Sequence, residues 1–217
     1  MKQLAFGSLT VLSIAILVLA MSPAPAMADN IPYGTGGSGP VGTIAPTAVF
    51  TATASGTVGY FYGFSAADTD KIAACDVTTD PTCTGLVYKF VNQTSTIGTS
   101  ATLLSGVTAG NTIAFFIDNT TTGSIFSSDP ALSSDGTNHV YATPYSDTGS
   151  ETALGIPAGL FLGFEDLDRA QSSDWDYNDD EIVVTGVSIA TPEPGSLVML
   201  GSGLIGLVGL RRRKLAD

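Results

Sequence analysis

Basic side chains are scarce. The 217 residues hold 8 Lys and Arg against 20 Asp and Glu, a formal charge of −12. A nucleic-acid binder needs clustered cations to displace counterions from phosphate, so that class is excluded. Charged residues of both signs reach only 13% while hydrophobic residues reach 44%, which excludes a disordered acidic tail. There is a single His, so no two-His metal triad is available. There are two Cys, in neither Cys-x-x-Cys spacing nor the company of other soft ligands. No internal repeat and no sustained helical period are present. The 25 Gly and 11 Pro, with abundant Thr and Ser, argue against long helices in the middle of the chain.

The few cations are unevenly placed. Lys2 opens the chain, and Arg211, Arg212, Arg213 and Lys214 close it. Only Lys71, Lys89 and Arg169 lie in residues 29–190, against 18 acids, a formal −15. Such self-repulsion opposes compaction and invites a bound cation, or at least a high-salt or calcium-containing setting.

Both ends read as addresses. Residues 1–28 form a secretory signal peptide: Lys2, an apolar run from Leu4 to Met21, Pro23 and Pro25, then Ala26-Met27-Ala28 as a small-x-small cleavage site. Residues 29–46 are a Gly-rich flexible leader. At the other end, Thr191-Pro192-Glu193-Pro194-Gly195 is a stiff spacer. A charge-free apolar segment follows, predicting a membrane helix at about residues 195–210 with a basic tail at 211–214. Its 15 uncharged residues, Ser196 to Leu210, rise roughly 22 Å as a helix against a ~30 Å hydrocarbon core. Snorkelling Arg stems make up the difference and keep the tail cytoplasmic. Pro192, Glu193 and Pro194, the short apolar helix and Arg211 to Arg213 resemble the PEP-CTERM sorting signal over residues 191–217. That resemblance implies a Gram-negative export route. It also implies an exosortase-type processing enzyme as partner, a precursor held in the cytoplasmic membrane, and final placement at the cell surface or in the medium, often beside exopolysaccharide.

Between the ends, residues 47–190 predict one all-β domain, an antiparallel β-sandwich or jelly-roll-like fold. The expected strands are Thr47 to Thr53, Thr57 to Phe64, Leu86 to Val91, Thr112 to Ile117, His139 to Thr143, Gly159 to Phe164 and Glu181 to Ile189. Cys75 and Cys83 close a short loop and, in an exported protein, predict a disulfide.

Residues 163–181 are the chemically informative stretch. They hold eight carboxylates and one cation, Arg169. Carboxylates crowded together without a counter-ion raise one another's pKa or unfold the loop. A hard divalent cation relieves this, and calcium takes six to eight oxygens. Asp174, Asp176 and Asn178 carry the 1-3-5 spacing of calcium loops. Asp179 stands where an EF-hand needs Gly and Thr185 where it needs Glu, so this is no EF-hand. Capping of local turns by Asp and Asn is the competing reading. The candidate metal ligands are Glu165, Asp166, Asp174, Asp176, Asn178 and Asp179, with His139 and Asp180 as auxiliaries and Ca2+ as the expected ion. For His139, a hydrogen bond to one of the acids, metal ligation and general-base chemistry all stay open.

Gly163-Phe164-Glu165-Asp166-Leu167 followed by Ser173-Asp174-x-Asp176-Tyr177-Asn178-Asp179 resembles the domain of unknown function 4114, as does the upstream Asp135-Gly136-Thr137-Asn138-His139-Val140. The similarity spans about residues 110–187 and implies an exported bacterial protein whose acids have prompted suggestions of enzymatic activity. A hydrolase of exopolysaccharide would use two of these carboxylates as acid and base. No nucleophile elbow or Ser-His-Asp arrangement accompanies them, so a structural or binding role is favoured over an enzyme. Tyr60, Tyr62 and Trp175 are candidate sugar-stacking rings, competing with a role in the core.

Overall fold

The computed structural model describes residues 44–146 and 154–189. The expected signal peptide, nearly all of the leader, and the sorting segment with its membrane helix lie outside the described residues. Among the described residues no helix is long and apolar enough to cross a membrane.

Eleven strands run in chain order: β1 (Phe50–Ala52), β2 (Gly56–Phe64), β3 (Asp70–Asp76), β4 (Phe90–Val91), β5 (Ser100–Ser105), β6 (Thr112–Asn119), β7 (Ser124–Ser127), β8 (Val140–Tyr145), β9 (Gly159–Phe164), β10 (Asp180–Thr185) and β11 (Val187–Ile189). One sheet has the order β11-β1-β6-β3-β4, with β7 also paired to β6, and the other has the order β5-β2-β10-β9-β8. Every named strand pair is antiparallel. The sheets pack face to face as a sandwich. One apolar cluster joins Phe50, Ile72, Phe115 and Ile117 of the first sheet to Phe61, Leu162, Ile182 and Val184 of the second. Phe50 meets Phe115 edge to face, ring centres 5.1 Å apart, the arrangement that ring quadrupoles favour.

The central strands are buried on both faces, so their sequences are continuously apolar rather than alternating. In β6, Ile113, Phe115 and Ile117 fill the space between the sheets. Ala114 and Phe116 sit in a second cluster with Ala73, Cys75 and Cys83. In β10, Ile182 and Val184 belong to the main core while Val183 packs with Tyr62, Tyr145, Ile156 and Phe161.

Several expected strands change in extent. The run from Glu181 to Ile189 divides at Gly186 into β10 in the second sheet and β11 in the first. Gly186 has φ +79°, and a Cβ there would collide with the Gly56 carbonyl oxygen. Only a residue without Cβ lets the chain switch sheets at this point. Of Leu86 to Val91, only Phe90 and Val91 pair. Strands β3, β5 and β7 were not anticipated. β3 hides because Asp caps both of its ends and its short Lys-Ile-Ala-Ala-Cys interior has little β-branched character.

The disulfide between Cys75 and Cys83 is present and ties the end of β3 to the following loop. Its sequence separation is 8. Closing a loop of that length removes about 2–3 kcal/mol of unfolded-chain entropy. The Cys75→Ser, Cys83→Ser double variant should therefore lose about 2–3 kcal/mol in chemical denaturation, with the slope equal to or slightly above that of the native chain because the unfolded chain is freer to expand.

Candidate metal centre

Strand ends from both sheets converge on one acidic site. Asp70, the first residue of β3, pairs with Asn119, the last of β6. Asp180, the first residue of β10, pairs with Phe64 and Phe164, the last residues of β2 and β9. Asn119 joins the two sets: its Nδ2 donates to Asp68 Oδ2 at 2.8 Å and to Asp166 Oδ2 at 3.2 Å. Asn92 holds Asp70 by two bonds, accepting from its backbone N–H at 3.1 Å and donating to Oδ2 at 2.9 Å.

The loop between β9 and β10 carries the remaining acids. Asp168 and Gln171 form a reciprocal capping box around the short helical turn Arg169–Gln171, which commits Asp168 to the backbone. The chain then reads Asp174-Trp175-Asp176-Tyr177-Asn178. Trp175 and Tyr177 both take left-handed backbone angles, φ 55° and 56°. Each costs of order 1–3 kcal/mol for a bulky residue. The alternation sends Trp175 and Tyr177 into an apolar cluster with Ala45, while Asp174 and Asp176 gather with Glu165. Tyr177 Oη accepts from the Ala45 N–H at 2.6 Å, and Asn138 Nδ2 donates to the Ala45 carbonyl at 3.0 Å. Gly163 allows the loop to close over β9, because a Cβ there would strike the Tyr177 carbonyl oxygen.

Two ligand triads result. Glu165, Asp166 and Asp179 each place a carboxylate oxygen within 4.8 Å of the others, and so do Glu165, Asp174 and Asp176. These groups could hold a metal ion. Glu165 is 1% exposed and its Oε2 has no hydrogen-bond partner. Asp180 is fully buried with both oxygens unpartnered, and Asp70 leaves Oδ1 unpartnered. Among the described residues no Lys or Arg forms an ion pair with any of these acids. A buried carboxylate left this way is costly as an anion.

The electrostatics follow. Burial, then the charge of Asp179, pushes Glu165 up to about 8. Burial, then Asp70, pushes Asp166 up to about 8, and burial, then Asp166, does the same to Asp179. Asp70 rises to about 7, chiefly through burial. Asp180 lies well above the usual range through burial and then through Asp70, Asp179 and Asp166. Glu181 rises to about 7 through burial and Asp176. All of the shifts have one sign and one leading cause.

The sequence candidates separate in space. Glu165, Asp166, Asp174, Asp176 and Asp179 come together. Asn178 lies beside them but turns its amide onto Asp176, donating Nδ2 to Oδ2 at 2.6 Å. Asp180 faces the same site from β10. His139 is not among the gathered ligand atoms. Its Nδ1 lies 2.8 Å from the Glu165 carbonyl, and its Nε2 lies 3.1 Å from Asp135 Oδ2. The ring stacks on Phe126 at 3.9 Å and touches Trp175 at 4.9 Å. Burial acts to raise the Asp135 carboxyl, but hydrogen bonds from His139 and Thr137 outweigh it and hold the group below its usual value. His139 thus anchors the Glu165 backbone. Asp70, Asp68 and Asn119 escaped the sequence reading because they stand alone on distant segments. Only the pairing of β3 with β6 brings them to the cluster.

The raised values fix the pH response of the metal-free protein. The folded state holds protons that the unfolded chain has released, so stability is full below the unfolded carboxylate range and falls as pH rises. Chelator-treated protein should lose stability steadily between about pH 4 and about pH 8, in the window set by Glu165, Asp166 and Asp179. Denaturant melts at several pH values measure this, and a rise in stability across that window contradicts it.

Comparison with known proteins bears on the chain's C-terminal end. The PEP-CTERM protein-sorting motif matches residues 190–214. No curated protein and no solved structure matches the chain. The motif supports an exported precursor, held at the membrane and processed by an exosortase for the cell surface.

Proposed function

We propose that the domain is a calcium-stabilised module of the cell surface or extracellular matrix, structural or binding in role rather than catalytic. The observation that carries this reading is Glu165, a buried carboxylate with an unpartnered oxygen that belongs to two ligand triads. The donors are all oxygens. His139 is engaged elsewhere and the two Cys are joined to each other. A hard, carboxylate-rich set of this kind suits calcium better than zinc or copper. Magnesium keeps most of its waters and uses few carboxylates, so it fits less well. The similarity of residues 110–187 to the domain of unknown function 4114 belongs to this reading. Its two acidic elements, Gly163 to Leu167 and Ser173 to Asp179, meet in one site. The resembling segment is only part of an interleaved fold, since β2 and β3 lie within the two sheets.

A carboxylate hydrolase needs one acid protonated and another ionised at the same pH. Glu165, Asp166 and Asp179 instead crowd their oxygens within 4.8 Å of one another, an arrangement suited to a shared cation. Exopolysaccharide stays a proposed partner, yet two of the candidate stacking rings are not platforms for it: Trp175 and Tyr62 are buried.

Thermal unfolding of the purified protein in chelator, then with calcium, magnesium or zinc, tests the proposal. Calcium at a hundred times its dissociation constant adds ~2.7 kcal/mol. For a domain of this size that is a rise in Tm of about 5–11 °C. The gain should be selective for calcium and should shrink in Asp179→Asn. No rise with any divalent cation, together with turnover of a glycoside, would favour the hydrolase.

A further inference from the structure

We infer that the cluster holds two cations bridged by Glu165, an inner one bound with Asp166 and Asp179 and an outer one bound with Asp174 and Asp176. This rests on the calcium reading above and goes beyond it. The two triads share Glu165 and no other member. A carboxylate has two oxygens and can serve one metal with each, as bridging groups do where metals sit ~4 Å apart. Glu165 is placed for this role. It is buried, Oε2 lacks a hydrogen-bond partner, and its backbone is pinned by the His139 ring and by its own N–H donating to the His139 carbonyl at 3.1 Å.

Charge points the same way. The five gathered carboxylates carry a formal −5 when ionised. One divalent ion leaves −3 on a partly buried cluster, whereas two leave −1. Asp70 and Asp180 add further unpartnered buried oxygens beside the inner triad. No Lys or Arg among the described residues offsets them.

The two positions differ in exposure, which makes them separable. Asp166 is buried and Asp179 half-buried, while Asp174 is exposed and Asp176 half-buried. The inner ion links β9 to the start of β10, and the outer ion fastens the strained Asp174–Asp176 turn. The outer ion therefore exchanges more readily and has coordination positions open to solvent or to an oxygen-rich ligand. Trp175, the chain's one tryptophan, lies between the two outer ligands in sequence and acts as a built-in antenna for a luminescent lanthanide bound there.

The test counts ions on the full chain in detergent. Equilibrium dialysis with calcium should give two equivalents, and terbium should show emission sensitised through Trp175. The Asp174→Asn, Asp176→Asn double variant, altered only at exposed and half-buried positions, should bind one equivalent. It should keep part of the sensitised emission, because the inner ion stays close to Trp175, and most of the calcium-dependent rise in Tm. Glu165→Gln should lose both equivalents. One equivalent in the native chain, or an unchanged count in the double variant, overturns the two-ion site and leaves the calcium reading standing. No binding at all overturns both.

Discussion

Like charges buried together at one end of the sandwich dominate this molecule. Asp70 comes from one sheet and Asp180 from the other, Asp166 and Asp179 act on Asp180 with them, and Asn119 at the end of β6 bonds Asp166. Hydrophobic burial between the sheets draws these strand ends together, and their charges push them apart. Without a counter-ion, burial first and the neighbouring charges second favour protonation, so the shifts within the cluster run upward. With a divalent ion the same oxygens become ligands, and the repulsion becomes a reason to bind. Much of the local architecture serves to hold acids where, unpaired, they would not stay.

The β9–β10 loop shows how the chain manages this. Left-handed angles at Trp175 and Tyr177 are unfavourable in isolation. They are offset because both rings enter the interior, where Trp175 contacts His139 and Tyr177 accepts from Ala45. Aromatic burial thus holds the strained backbone in place, and that backbone aims Asp174 and Asp176 toward Glu165. His139 completes the support, stacked on Phe126 and bonded to the Glu165 carbonyl. The chain's one histidine positions a carboxylate instead of competing with it.

Much of this was legible in the sequence, for physical reasons. The acidic loop announces itself because eight carboxylates within nineteen residues have few uses. The buried run Thr112 to Ile117 and the strand Gly159 to Phe164 are visible as apolar segments bounded by Gly and polar residues, and the Cys75–Cys83 pairing follows from a short loop in an exported chain. What stayed hidden depends on pairing between distant segments. Asp70 looks like a turn residue until β3 is laid against β6, and Glu181 to Ile189 looks like one strand until Gly186 sends its end to the other sheet. For Trp175 and Tyr62 the sequence leaves sugar stacking and core packing both open, because periodicity in a loop or a doubly buried strand does not tell which side faces water, and the structure buries both.

Strand β11 has a mechanical consequence. It is three residues long, pairs only with β1, and stands at the edge of its sheet immediately before residue 190, where the sorting motif begins. Tension applied at that end enters the domain through the three register pairs Phe50–Ile189, Thr51–Ser188 and Ala52–Val187. Gly186, packed against the Gly56 carbonyl oxygen, sits just behind them. These pairs are the first that a pull at residue 190 meets, ahead of β10 and the acids that β10 carries. The edge strand is thus the first link between the sorting segment and the acidic site.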